Sequence, residues 1–159
     1  MKAASVNDLK KELKELPSNR LVELCLQLAK YKKDNKELLG FLLFESHDKA
    51  GFVNQLKQEI ALSFSEIDRS ANLYFTKKSL RKILRQVIKY CRYLDEKAFA
   101  ADLHIYFCRQ LLESGIPFRK SQLLINLYEQ ELKRITAFIG SLHEDLQSDY
   151  SRELESLYL

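Results

Sequence analysis

Tryptophan is absent from this chain of 159 residues, and glycine and proline occur only four times and twice. With Thr and Val also sparse beside abundant Leu, little material exists for β-strands or for the tight turns that join them. The composition therefore predicts an all-α fold, with helical content far above the globular average. The lack of Trp also excludes the tetratricopeptide signature. Cys25, Cys91 and Cys108 are an odd number at scattered positions, which suits a reducing compartment rather than a disulfide framework. The most apolar runs, 21–29 and 38–44, fall far short of a membrane span, so no membrane partner is expected. The opening MKAASVNDLKKEL becomes charged before any apolar stretch of signal-peptide length, and a cytoplasmic location is expected.

One further absence is local. No Asp or Glu lies between Asp68 and Asp95, a stretch that holds eight basic residues. Wound at 100° per residue, Lys78, Arg81, Lys82, Arg85, Lys89 and Arg92 form one stripe of a helix 76–94, opposite Leu80, Ile83, Leu84, Val87, Cys91 and Leu94. The stripe lacks the i,i+4 acids that neutralise an ordinary solvated face. The last twelve residues of acidic character, Glu144 to Glu155, carry five acids against Arg152.

The remaining pattern is helical throughout. Ser5 is placed to cap a first helix that Pro17 stops, and Ser18 a second whose apolar residues cover most of its circumference, as in a central helix. Asp34 and Glu37 have the spacing of a capping box for a short, mostly buried third helix through Phe44. A fourth helix runs from Asp48 to about Ile67. Thr76 is the expected cap of the basic helix, with Phe75 and Leu80 at staple spacing. Asp95 ends it and starts a sixth helix to Ser114, whose inward residues are read as Phe99, Leu103, Tyr106, Phe107 and Leu111. Gly115 and Pro117 stop that helix. A seventh helix ends at Gly140, and Ser141 with Glu144 predicts the start of a last one. About eight helices with short connections imply antiparallel hairpins, in an irregular bundle or a short HEAT-like solenoid. One domain over 1–159 is expected, with possible sub-units 1–68 and 76–159.

The phrase LKKELKELPSNRLVELCLQLAKYKKDNKELL, with the basic helix and its follower, resembles a small, uncharacterised, all-helical bacterial family. The resemblance implies an all-helical fold and carries over no activity, cofactor or site residue.

Tests for chemistry are negative in the sequence. A di-iron bundle needs Glu three residues before a ligand His, and none of His47, His104 and His143 has one. His104 and Cys108 share a helix face, but in an antiparallel hairpin Cys91 would lie on the order of 13 Å from Cys108 at 1.5 Å rise per residue. Packed thiols and a satisfied or exposed imidazole are the expectation, with no metal. His143-Glu144-Asp145 sits at a helix start, where acids favour the dipole. Four scattered glycines build no phosphate loop. No cofactor and no catalytic residue is therefore assigned.

The basic stripe reads in three ways. Lys78, Arg81, Lys82, Arg85, Lys89 and Arg92, bordered by Tyr93 and preceded by Tyr74, are candidates to bind phosphates of a nucleic acid or another polyanion. They are equally candidates for a protein surface that receives an acidic partner or a second copy. Or they pair internally with Asp145, Asp149 and Glu153, at i, i+4 and i+8 of the last helix. The leading expectation is a non-catalytic binding or scaffolding module for protein partners or self-association, with nucleic acid as the alternative.

Overall fold

The computed structural model describes residues 2–158, which form an all-α fold with no strand among them. Eight α-helices follow in order: α1 (Val6–Lys14), α2 (Ser18–Tyr31), α3 (Lys33–Gly40), α4 (Lys49–Ser65), α5 (Leu73–Leu94), α6 (Lys97–Glu113), α7 (Gln122–Gly140) and α8 (Glu144–Glu155). The chain divides into two compact units, Met1–Glu45 and Ser46–Leu159. The boundary thus falls before α4 and not at the 69–75 connection. The reason is packing: Lys57 of α4 donates to Asp102 of α6 at 2.8 Å, and Phe64 lies 5.4 Å from the Phe107 ring.

In the first unit, Ser5 caps α1 by accepting from the Asp8 amide at 3.2 Å, as its spacing predicts. Asn35 closes the α2–α3 hairpin by donating to the Leu28 carbonyl at 2.9 Å. The caps expected of Ser18 and Asp34 do not form; Pro17 and Lys32 hold the cap positions, without side-chain bonds. Nor is α2 a central helix. It has no buried residue, and Val22, Leu26 and Leu28 are exposed, while Phe41 alone is buried near the end of α3. Apolar residues around a helix allow it to be covered on every side but do not supply the neighbours.

The central helix of the second unit is α6, which packs against α4, α5, α7 and α8. Ala100, Ala101, Leu103, His104, Ile105, Phe107, Cys108 and Leu111 are buried and spread around its circumference. Phe99 and Tyr106, expected inward, are only half-buried. Small alanines let α6 be surrounded where larger side chains would hold neighbours away. The neighbours α4, α5 and α7 each contribute a buried stripe at helical spacing, such as Val53, Leu56, Ile60 and Phe64 from α4, whereas α8 buries Leu154.

Two junctions orient α5 and α6. Asp95 adopts left-handed backbone (φ 51°), and its N–H donates to the Cys91 carbonyl at 3.1 Å. Lys49 then clamps the turn, donating to the Leu94 carbonyl at 2.9 Å and pairing with Glu96 at 2.6 Å. After α6, Gly115 takes the left-handed conformation (φ 73°) that the sequence reserves for it.

The C-terminus is anchored by Tyr128, whose buried hydroxyl donates to the Leu157 carbonyl at 2.6 Å. Burial, with the Cys108 thiol nearby, pushes the phenol well above its ordinary range. A folded state that keeps this phenol neutral gains from it below the unfolded tyrosine range and loses that gain as pH rises past about 10. Tyr128→Phe should destabilise by roughly 1–3 kcal/mol, the cost of an unsatisfied buried carbonyl. Urea midpoints for the two proteins at pH 7 and pH 10.5 are the check. A difference that persists undiminished at the higher pH would show that the hydroxyl's ionisation is not linked to folding.

Candidate functional site

The basic helix begins three residues earlier than Thr76. Asn72 caps it, its Oδ1 accepting from the Tyr74 amide at 3.0 Å, and Thr76 is buried inside the first turns. Phe75 is exposed within the helix, so the expected staple with Leu80 is not formed. The earlier start puts Tyr74 one turn ahead of Lys77 and Lys78, on the face that continues through Arg81 and Arg85.

That face borders a groove of about 570 Å³ between α5 and the start of α7. Leu84, Ile88 and Leu123 give it an apolar floor, and Tyr74, Lys77, Lys78, Arg81 and Arg85 form its rim. No carboxylate among the described residues lines it. Leu123 is 57% exposed and Tyr74 70%, so the apolar surface is open to a ligand.

The stripe is therefore divided by the structure. Lys78, Arg81 and Arg85 come together at the groove, joined by Lys77, which sequence reasoning passed over. Lys82 is exposed, outside the groove lining. Lys89 lies over the Tyr90 ring at 5.0 Å from its centroid. Arg92 borders a different cavity, described below. Tyr93 is a correction: it is 9% exposed and set edge-on against Tyr90 at 5.7 Å, so it offers no open face for stacking.

Two acids of α8 that were candidates to pair with the stripe meet other residues. Glu153 instead meets Arg109 of α6 at 3.2 Å, and Asp145 meets His143 at 3.3 Å within its own helix start. His143 also supplies the cap of α8, in place of Ser141. The acidic helix packs on α7 and α6, which turns its charges to partners other than α5.

A second cavity of about 410 Å³ is lined from α5, α6 and α7 by Ile88, Cys91, Ala100, His104, Arg134 and Phe138, with charged residues 92 and 95–97 at its mouth. Beside it lies a buried charged cluster. Glu131, 1% exposed, bonds His104 Nδ1 through Oε2 at 2.5 Å and Arg134 through Oε1 at 3.0 Å. Burial, reinforced by the Glu131 charge, pushes the Cys91 thiol up to about 12 and raises Cys108 as well. Thiols held neutral in this way are poor nucleophiles and poor metal ligands. Among the described residues no three His, Cys, Asp or Glu side chains converge to hold a metal. No described helix is long and apolar enough to cross a membrane.

His104 and Glu131 are 27 positions apart, and no local pattern links them. Leu123 in the groove was legible only as an apolar residue of α7. Tyr74 had a signal in Asn72, a preferred cap two residues before it. Comparison with protein-family models, with curated proteins and with solved structures returns no match.

Proposed function

We propose that the protein is a non-catalytic interaction module that takes an acidic amphipathic helix of a partner protein into the α5 groove. The observation that carries this reading is the pairing of an apolar floor, Leu84, Ile88 and Leu123, with a rim of four cations and Tyr74. An amphipathic helix presents apolar anchors at i, i+3 or i+4 and i+7, which suits such a floor, and its flanking acids meet the cations. The rim sets partner choice and association rate more than affinity, whereas the floor supplies the desolvated contact.

A labelled amphipathic peptide with leucines on one face and glutamates flanking them is the probe, read by fluorescence anisotropy. Arg81→Glu with Arg85→Glu should weaken its binding by roughly tenfold or more, through loss of two favourable charges and gain of two repulsive ones. Because both arginines are exposed, the double variant should keep its stability within about 0.5 kcal/mol of the parent. Equal peptide affinity for both proteins would remove the reading. The nucleic-acid alternative is favoured by one observation, the exposed Tyr74 and Phe75 rings beside Lys77 and Lys78, which offer stacking faces near cations. A labelled single-stranded oligonucleotide run alongside at two salt concentrations separates them. Steeply salt-dependent oligonucleotide binding without peptide binding would put the second reading in place of the first.

A further inference from the structure

The cavity between α5, α6 and α7 has a feature that a packing void does not require. His104 is 1% exposed and forms part of the cavity wall, and its Nδ1 is committed to Glu131, which is not part of that wall. The ring therefore meets the cavity with its other edge, where Nε2 makes no hydrogen bond with the described residues. Glu131 accepts through both oxygens, which holds the imidazole in one orientation and one tautomer. A buried carboxylate is costly to keep, and an apolar pair would fill the space at less cost. Buried ionisable groups at the wall of a cavity mark candidate ligand sites.

We infer that this cavity is a binding site for a small monocarboxylate with an apolar tail, anchored by His104 Nε2. The tail lies against Ile88, Ala100 and Phe138, the last with its ring 5.5 Å from that of His104 and tilted at 39° to it. The charges at the mouth favour a single negative charge: Arg92 and Lys97 attract it, while Asp95 and Glu96 oppose a dianion, Glu96 being partly balanced by Lys49. Arg134 adds positive field from α7, although it is shared with Glu131. Because Nδ1–H is given to Glu131, Nε2 donates to an incoming carboxylate only when it carries the second ring proton. This site is separate from the groove in its chemistry, although Ile88 borders both.

The full chain labelled with ¹⁵N at histidine, titrated with sodium butyrate and separately with inorganic phosphate, tests the assignment. The ring nitrogens of His104 should shift saturably with butyrate, while those of His47 and His143, which lie outside the cavity, stay in place. Lys97→Glu, at an exposed position on the mouth, should weaken butyrate about fivefold, the equivalent of one exposed charge contact. The Arg81→Glu, Arg85→Glu protein should bind butyrate as the parent does, which keeps this result independent of the groove. His104→Gln should abolish binding as followed by the backbone amides around Ala100; should that protein not fold, Lys97→Glu decides alone. An unmoved His104 ring, or a Lys97→Glu protein with unchanged affinity, overturns the proposal. So does phosphate binding as tightly as butyrate, because the apolar wall would then contribute nothing.

Discussion

Glu131→Ala should destabilise the second unit by about 3–5 kcal/mol, lowering its thermal midpoint on the order of 10–20 °C. The alanine removes a carboxylate that is 1% exposed and leaves two groups behind, the His104 imidazole in the core and the Arg134 guanidinium at its edge. Arg134 is partly exposed and can turn to water, but His104 cannot. The loss therefore comes mainly from an orphaned buried ring and from the volume vacated. Replacing both members, as His104→Leu with Glu131→Leu, should recover most of the stability, since no uncompensated buried polar group remains. Thermal unfolding followed by circular dichroism for the parent and these two variants is sufficient. If the double leucine variant were no more stable than Glu131→Ala, volume and not charge pairing would be the cause.

A comparable loss is expected at Phe107. Its side chain is fully buried in α6, with the Phe64 ring 5.4 Å away and tilted at 57°. Phe107→Ala should cost roughly 3–5 kcal/mol, combining lost transfer energy with a cavity that four surrounding helices cannot collapse. The contrasting change is Leu26→Ala in α2, where the side chain is half-exposed and the expected effect is within about 0.5 kcal/mol. The pair tests which helix is central. Urea unfolding midpoints that ranked Leu26→Ala with Phe107→Ala would place the organising contacts in the first unit instead of around α6.

These two sites also show what could be read in advance. Phe107 and Leu103 were legible as inward residues of α6, because bulky apolar side chains at helical spacing report on burial wherever the chain folds. Ala100, Ala101 and His104 on the same helix were not, since alanine is buried or exposed with little preference of its own and histidine is intermediate. The basic stripe was visible from Lys78 to Arg92 because charge periodicity is local. Its division was not: Lys89 and Tyr93 lie against Tyr90, while Arg81 and Arg85 border a groove whose floor includes Leu123, thirty-five residues after Ile88.

The sequence by itself determined the all-α class, the start of α1 at Ser5, the left-handed stop at Gly115 and the one-sided charge of α5. Each of these depends on interactions between residues a few positions apart, so backbone geometry and the helical repeat settle them. Tertiary structure alone decided that α6 and not α2 is surrounded, and that Glu153 of α8 meets Arg109 of α6. It also brought His104 to Glu131 beside a cavity. Those outcomes depend on which helices become neighbours. Apolar faces are interchangeable in composition, and only the joint packing of all of them selects one arrangement.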